Sequence, residues 1–409
     1  MRLSHIFSLR VGLLSMSAAA ALAVAGCEGP GADEVSARAN APLSKETVAL
    51  MQEKGTSPDA PVLIRTYKKE AELEVWKMKS DGRYALLKTY PICRWSGQLG
   101  PKSREGDRQV PEGFYSVTPA QMKPNSAYYL AFNVGYPNAY DRAQGHDGGS
   151  IMVHGVCSSR GCFSMTDEQM REIYAVVRES FAGGQRDMQL QSYPFHMNAE
   201  NMAKYRADPN IAFWRQLKDG SDNFETTKKE VAVASCGGRY IFNATPVGGR
   251  FDAYSPCPQF RQNEDSRALV AAKQAEDNAK IAELTAQGVK AIRTVYADGG
   301  QHPKFAALAA TSSRPEALAM GPTDMPVEDR RVRVALDDKK GKSRVSPVAQ
   351  VASAQPQAAA PVRSADAEPA IGVAAPAAEV KSTPLTGWFG GLKPAEGAIS
   401  VAAKQPASQ

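Results

Sequence analysis

The sequence predicts an α+β domain, mainly β, over residues 61–258, flanked by segments that do not build its core. Three observations predict it. Short strand-like runs recur between Val62 and Tyr193, an Asp-Gly pair joins two of them, and one capped stretch repeats its apolar residues at helical spacing. The chain has 409 residues, 43% hydrophobic and 22% charged, which is enough for such a domain plus appendages.

The chain starts with an address. Met1 to Arg10 holds two arginines and no acid, and Val11 to Val24 is apolar and alanine-rich. Val24-Ala25-Gly26-Cys27 follows, so residues 1–26 read as a secretory signal peptide with small residues before the cut. Without Arg2 and Arg10 the formal net charge of +6 falls to about +4, too mild for nucleic acid as the main partner. No apolar run reaches roughly 18 residues, so no helix is expected to span a bilayer. Residues 27–60 are small and polar and read as a flexible tether.

Strand candidates then follow in order. Val62 to Tyr67 is one, and Leu73 to Met78 alternates with period two. Asp81-Gly82 comes next, then Tyr84 to Leu87, a hairpin pattern because both turn residues tolerate positive φ. Phe114 to Thr118, Tyr128 to Asn133, Ser150 to His154 and Met188 to Tyr193 complete the set. Between the last two lies the helix. Thr166 is its N-cap, Gln169 occupies the capping-box position, and Asp167 and Glu168 suit the positive end of the dipole. Met170, Ile173, Tyr174, Val177 and Phe181 share one face, and Gly183-Gly184 ends the helix. Residues 259–300 are rich in Ala, Glu, Gln and Lys and read as a helical extension. Residues 301–409 are low in complexity and expected to be mostly disordered, because they cannot bury enough apolar surface to offset ordering entropy.

Six cysteines less Cys27 leave Cys93, Cys157, Cys162, Cys236 and Cys257. In an oxidising compartment an odd set leaves one thiol free. Cys236 with Cys257, and Cys93 with Cys157, are the candidate disulfides, although three pairings of four cysteines exist. No Cys/His cluster has metal-ligand spacing and no phosphate-loop pattern occurs, so neither metal nor cofactor is expected. His146 and His196 read as a loop and a structural histidine. Lys102, Arg104 and Arg108 form a basic stretch, read as a solvated loop or as a contact for substrate carboxylates.

The chemistry concentrates near the helix start. A strand ends on His154, and Cys162 follows eight residues later within Ser159-Arg160-Gly161-Cys162. Cysteine acts as a thiolate, so His154 is the candidate base and Arg160 and the helix N-terminus supply positive potential. Gly155 and Gly161 permit close backbone approach, and N–H groups near Gly161 and Cys162 are expected to face a developing oxyanion. Spacing alone does not separate this pair from a structural cysteine and a core histidine.

The run His154-Gly155-x-x-x-Ser159-x-Gly161-Cys162 resembles the active-site signature of the YkuD-type L,D-transpeptidases. Cys162-Phe163-Ser164-Met165-Thr166-Asp167, the stretch Cys93 to Lys102, Gly106 to Tyr115, Phe132 to Asn138 and Gly183 to Asp187 are similar to the YafK subgroup. The resemblance implies a YkuD-like catalytic domain. Cys162 would be the nucleophile and His154 the general base and acid, with Ser159 and Gly161 shaping the loop and oxyanion site, and Gly155 and Arg160 at the substrate. Peptidoglycan stem peptides would be the substrate, and a wall-linked lipoprotein is a further candidate partner. Transpeptidation, hydrolysis of a diaminopimelate link, or non-catalytic wall binding remain open. Many YkuD enzymes carry an arginine two residues after the cysteine; here that residue is Ser164, and Arg160 is the candidate replacement. Val-Ala-Gly-Cys resembles a bacterial lipobox, which implies lipidation of Cys27, a membrane anchor facing the periplasm and, with Glu28 next, the outer membrane rather than the inner.

Overall fold

The computed structural model describes residues 31–328. Two helices come first, α1 (Ala32–Ala39) and α2 (Lys45–Glu53). They correct the expectation of a tether over residues 27–60, of which 27–30 lie outside the described residues. Ser44 caps α2 by accepting the Thr47 N–H at 3.1 Å, Met51 is fully buried, and Arg178 donates to the Ala39 and Ala41 carbonyls at 2.6 and 3.0 Å. An apolar contact and a capped turn thus dock a segment whose composition is otherwise polar.

The strands β1 (Val62–Tyr67), β2 (Glu72–Met78), β3 (Tyr84–Pro91) and β4 (Gly113–Val117) follow. Asp81-Gly82 makes the β2–β3 turn with Gly82 at φ 75°, and the two strands pair antiparallel. β5 (Met122–Lys123), β6 (Ala131–Asn133), α3 (Ala139–Ala143), β7 (Met152–His154) and β8 (Phe163–Ser164) lead to α4 (Asp167–Ala182). β6 is shorter than expected because Tyr129 turns left-handed at φ 71°, which breaks the run begun at Tyr128. In α4 the Thr166 hydroxyl accepts the Gln169 N–H at 3.3 Å, and the Gln169 side chain accepts the Thr166 N–H at 3.0 Å. The expected face of Met170, Ile173, Tyr174 and Val177 is buried, with Phe181 half-buried at its edge. At the other end, a Cβ on Gly183 would come within 2.1 Å of the Asp59 carbonyl oxygen.

Then come β9 (Met188–Tyr193), α5 (Ala199–Lys204), α6 (Ile211–Thr227), β10 (Val233–Cys236), β11 (Arg239–Phe242), β12 (Ala244–Pro246) and β13 (Phe260–Gln262). The main sheet has the order β3-β2-β1-β9-β4, antiparallel except for the parallel pair β1–β9. Every residue of β1 and β9 is buried. α4 covers one face, where Lys77 Nζ donates to Ser180 Oγ at 2.7 Å, and α6 covers the other, where Arg65 donates to Ser221 Oγ at 3.1 Å. The second sheet, β5-β6-β7-β8, carries His154 on β7 opposite Ala131 of β6 and Ser164 of β8.

The extension holds a long helix, α7 (Glu264–Ala286), as expected. Lys218 of α6, paired with Asp222 of its own helix at 2.7 Å, ties it down through Asp277 at 2.5 Å. The chain stays ordered past residue 300, which corrects the expected start of the tail. β14 (Ile292–Val295), a 3-10 segment (Pro303–Thr311), α8 (Pro315–Met320) and β15 (Thr323–Pro326) follow, with β14 and β15 paired. The reason is docking on the domain. Trp95 exchanges both backbone bonds with Gly300 at 2.9 and 3.0 Å, and its ring meets Tyr296 edge-on at 4.9 Å. Residues 329–409, including Trp388-Phe389, lie outside the described residues. Among the described residues no helix is long and apolar enough to cross a membrane.

Candidate active site

Register places Cys162 and His154 on neighbouring strands. β7 and β8 run parallel with Val153 opposite Phe163 and His154 opposite Ser164, so Cys162 enters β8 beside Met152. The Met152 N–H donates to Cys162 Sγ at 3.4 Å. His154 lies two residues further along the same strand, on the same face as Met152. It is 4% exposed, and its Nδ1 is 2.6 Å from the Gly155 carbonyl oxygen. A carbonyl only accepts, so Nδ1 carries the proton and Nε2 keeps the lone pair that a general base needs. The Tyr128 ring, half exposed, sits 4.8 Å from the imidazole.

Burial sets the protonation states. It lowers the His154 imidazole below its ordinary value, opposed by the Gly155 carbonyl. It raises the Cys162 thiol, opposed by the Met152 N–H and the charge of Lys102. The resting pair is therefore a thiol and a neutral imidazole. Lys102, buried and held by Asp107 at 2.5 Å, supplies the positive potential at Cys162. Arg160 is exposed.

Ser159 organises the loop. Its Oγ accepts the Cys162 N–H at 3.1 Å, the Gly161 N–H at 3.3 Å and the Ser96 hydroxyl at 2.7 Å, and donates to the Cys162 carbonyl at 2.6 Å. The N–H groups expected to face an oxyanion are thus turned onto Ser159, because a buried hydroxyl in a tight turn collects them. Gly161 sits at φ 127°, where a side chain is strained. A Cβ on Gly155 would meet Asp167 Oδ1 at 2.5 Å, the atom that accepts the Val156 N–H at 2.8 Å. Ser164 is fully buried, bonded through its backbone to Arg94 and through its hydroxyl to the Ser158 carbonyl. The position where many YkuD enzymes carry arginine therefore faces the interior here.

Disulfides join Cys93 to Cys157 and Cys236 to Cys257, leaving Cys162 as the free cysteine among the described residues. No group of three or more metal-ligating side chains occurs among them. His146 Nδ1 lies 3.8 Å from Asp141, and His196 bonds Glu72 at 2.9 Å with its ring tilted against Tyr67. A cavity of about 1000 Å³ runs between α2, β3 and the start of α4, and its lining includes neither Cys162 nor His154. Sequence reasoning missed Met152, which acts through its backbone, Ser96, Ser312 and Ser313, which reach the loop from distant segments, and Asp298, which binds Arg108 behind it.

A thiol with a neutral imidazole on the adjoining strand, in a loop closed by glycine and serine, is the equipment of a cysteine nucleophile site. Residues 63–189 match the YkuD family, the L,D-transpeptidase catalytic domain. YafK of Escherichia coli strain K12, whose L,D-transpeptidase designation is unconfirmed, is 46% identical over 182 residues, 44% of this chain and 74% of that protein; its O157:H7 counterpart matches equally. The chain belongs to the YkuD L,D-transpeptidase family. Two solved structures also align. The helical cell shape determining protein Pgp2 of Campylobacter jejuni is 18% identical, with 61% of this chain and 80% of that one covered and a TM-score of 0.27. Bd1075 of Bdellovibrio bacteriovorus is 14% identical, with 58% and 74% covered and a TM-score of 0.26. Neither score is high enough to bear on function.

Proposed function

We propose that the protein is an exported, lipid-anchored cysteine enzyme that remodels peptidoglycan by L,D-transpeptidation. The observation that carries this is the unpaired Cys162 thiol, bonded by the Met152 N–H on the strand that ends in His154. Cys162 Sγ attacks the carbonyl of a diaminopimelate in a stem peptide while His154 Nε2 takes the thiol proton. The imidazolium returns that proton to the amine of the terminal D-alanine, which leaves, and a thioester remains. An acceptor amine, from a second diaminopimelate or a protein lysine, then attacks the thioester as His154 again serves as base. Water in place of the amine gives a hydrolase of the same family. Cys27 carries the anchor, and Glu28 directs it to the outer membrane.

The test incubates the protein and Cys162→Ala with tetrapeptide-stem muropeptides and with protein-linked peptidoglycan, with products read by mass. Diaminopimelate-linked dimers, lost in Cys162→Ala, are the expected result. Mutant-dependent release of protein or peptide without new links makes it a hydrolase. No Cys162-dependent product with either substrate leaves a wall-binding lipoprotein.

A further inference from the structure

We propose that Ser313, secured by Asp298, is a positioning residue for the Cys162 nucleophile, supplied by a segment outside the family-matched residues 63–189. Its kinetic arm rests on the cysteine-enzyme reading above. Cys162 is held through Ser159, whose hydroxyl takes both the N–H and the carbonyl of Cys162. Ser159 is held in turn by Ser313. The Ser313 hydroxyl accepts the Ser159 N–H at 3.0 Å and donates to the Ser159 carbonyl at 2.9 Å, closing on that residue as a strand partner would. Beside it, the Ser312 hydroxyl donates to the Cys157 carbonyl at 3.2 Å.

The clamp is itself anchored. Asp298, 4% exposed, receives Arg108 at 2.6 Å, Arg94 at 3.4 Å, Arg314 at 3.5 Å and the Gly97 N–H at 3.3 Å. Arg94 also donates to the Ser313 carbonyl at 3.3 Å, and Arg108 to the Ser159 carbonyl at 3.4 Å. One buried carboxylate therefore ties the segment that bears Ser313 to the segments that flank the nucleophile loop. The loop needs such support. Val156 and Cys157 are non-glycine residues at φ 66° and 40°, and left-handed backbone of that kind persists only where its surroundings over-determine it. Released from Ser313, the loop relaxes, Ser159 shifts, and Cys162 moves toward solvent.

Two opposite changes follow, which general destabilisation does not produce. Turnover falls because Sγ leaves its attack position, while the thiol becomes easier to alkylate because burial no longer raises it. The experiment compares the full chain with Ser313→Ala and Ser313→Thr. It measures kcat and KM on tetrapeptide-stem muropeptides, the rate of iodoacetamide capture of Cys162 at pH 8, and the melting temperature. For Ser313→Ala the expected result is a kcat about tenfold lower, KM within about twofold, and alkylation several-fold faster. Ser313→Thr, which keeps the hydroxyl, restores both. Wild-type kcat and alkylation in Ser313→Ala overturn the proposal. So does a lower kcat that tracks a lower melting temperature, with alkylation unchanged and no rescue by threonine. Alkylation needs no substrate, so if the wild type forms no product, the proposed reaction fails while the alkylation arm still decides the clamp.

Discussion

Titrating Cys162 separates a resting neutral pair from a preformed thiolate–imidazolium pair. Burial holds the thiol above its ordinary value of 9.0 and the imidazole below its ordinary value of 6.5. Both shifts favour the neutral thiol and imidazole over a charged pair at rest. Near neutral pH the thiol therefore stays protonated. Iodoacetamide capture of Cys162, followed by intact mass from pH 5 to 10, is expected to rise about tenfold per unit through pH 8 with no acid plateau. His154→Gln leaves that profile within about twofold, since no imidazolium supports the thiolate at rest, yet it abolishes turnover. Stability carries the same signs. The lowered imidazole contributes stability present above 6.5 and lost as pH falls through its folded value. The raised thiol contributes stability present below 9.0 and lost as pH rises through its folded value. A capture rate already level between pH 5 and 7, and made steep by His154→Gln, refutes the neutral-pair argument.

Two further outcomes are expected. Gly220 lies in α6 where a Cβ would reach Phe114 Cζ at 2.2 Å and Phe242 Cζ at 2.7 Å, so Gly220→Ala should lower unfolding stability by about 1–3 kcal/mol in urea, despite alanine's better helix propensity. Cys27→Ala should move the protein from the membrane fraction to the soluble fraction of the envelope while leaving turnover intact; retention in the membrane would remove the lipid-anchor reading.

What was legible in the sequence was what is local in the chain. The hairpin at Asp81-Gly82 and the capping box of Thr166 and Gln169 each need only a few neighbouring residues, and both formed as expected. His154 and Cys162 were legible for a related reason: a strand, a tight loop and a two-residue return strand leave little freedom in where the thiol lies. The first helices were not legible: residues 27–60 read as a tether, because their polar composition hid the Ser44 cap and the fully buried Met51. Arg65 illustrates what was not legible. A charged residue inside β1 reads as solvent-facing, yet it is buried against Glu225 and Ser221, more than 150 positions away. The extension fails the local test in the same manner. Nothing around Asp298 or Ser313 announces a role, because their value comes from Arg94, Arg108 and Ser159, which only the fold brings near. Electrostatics follow the same division. Arg160, next to the cysteine in sequence, points out to water, while Lys102, sixty positions earlier, supplies the charge that reaches the thiol. A candidate nucleophile can be read from a nine-residue signature, but the groups that bond to its loop come from across the fold, and in this chain partly from beyond the family-matched residues 63–189.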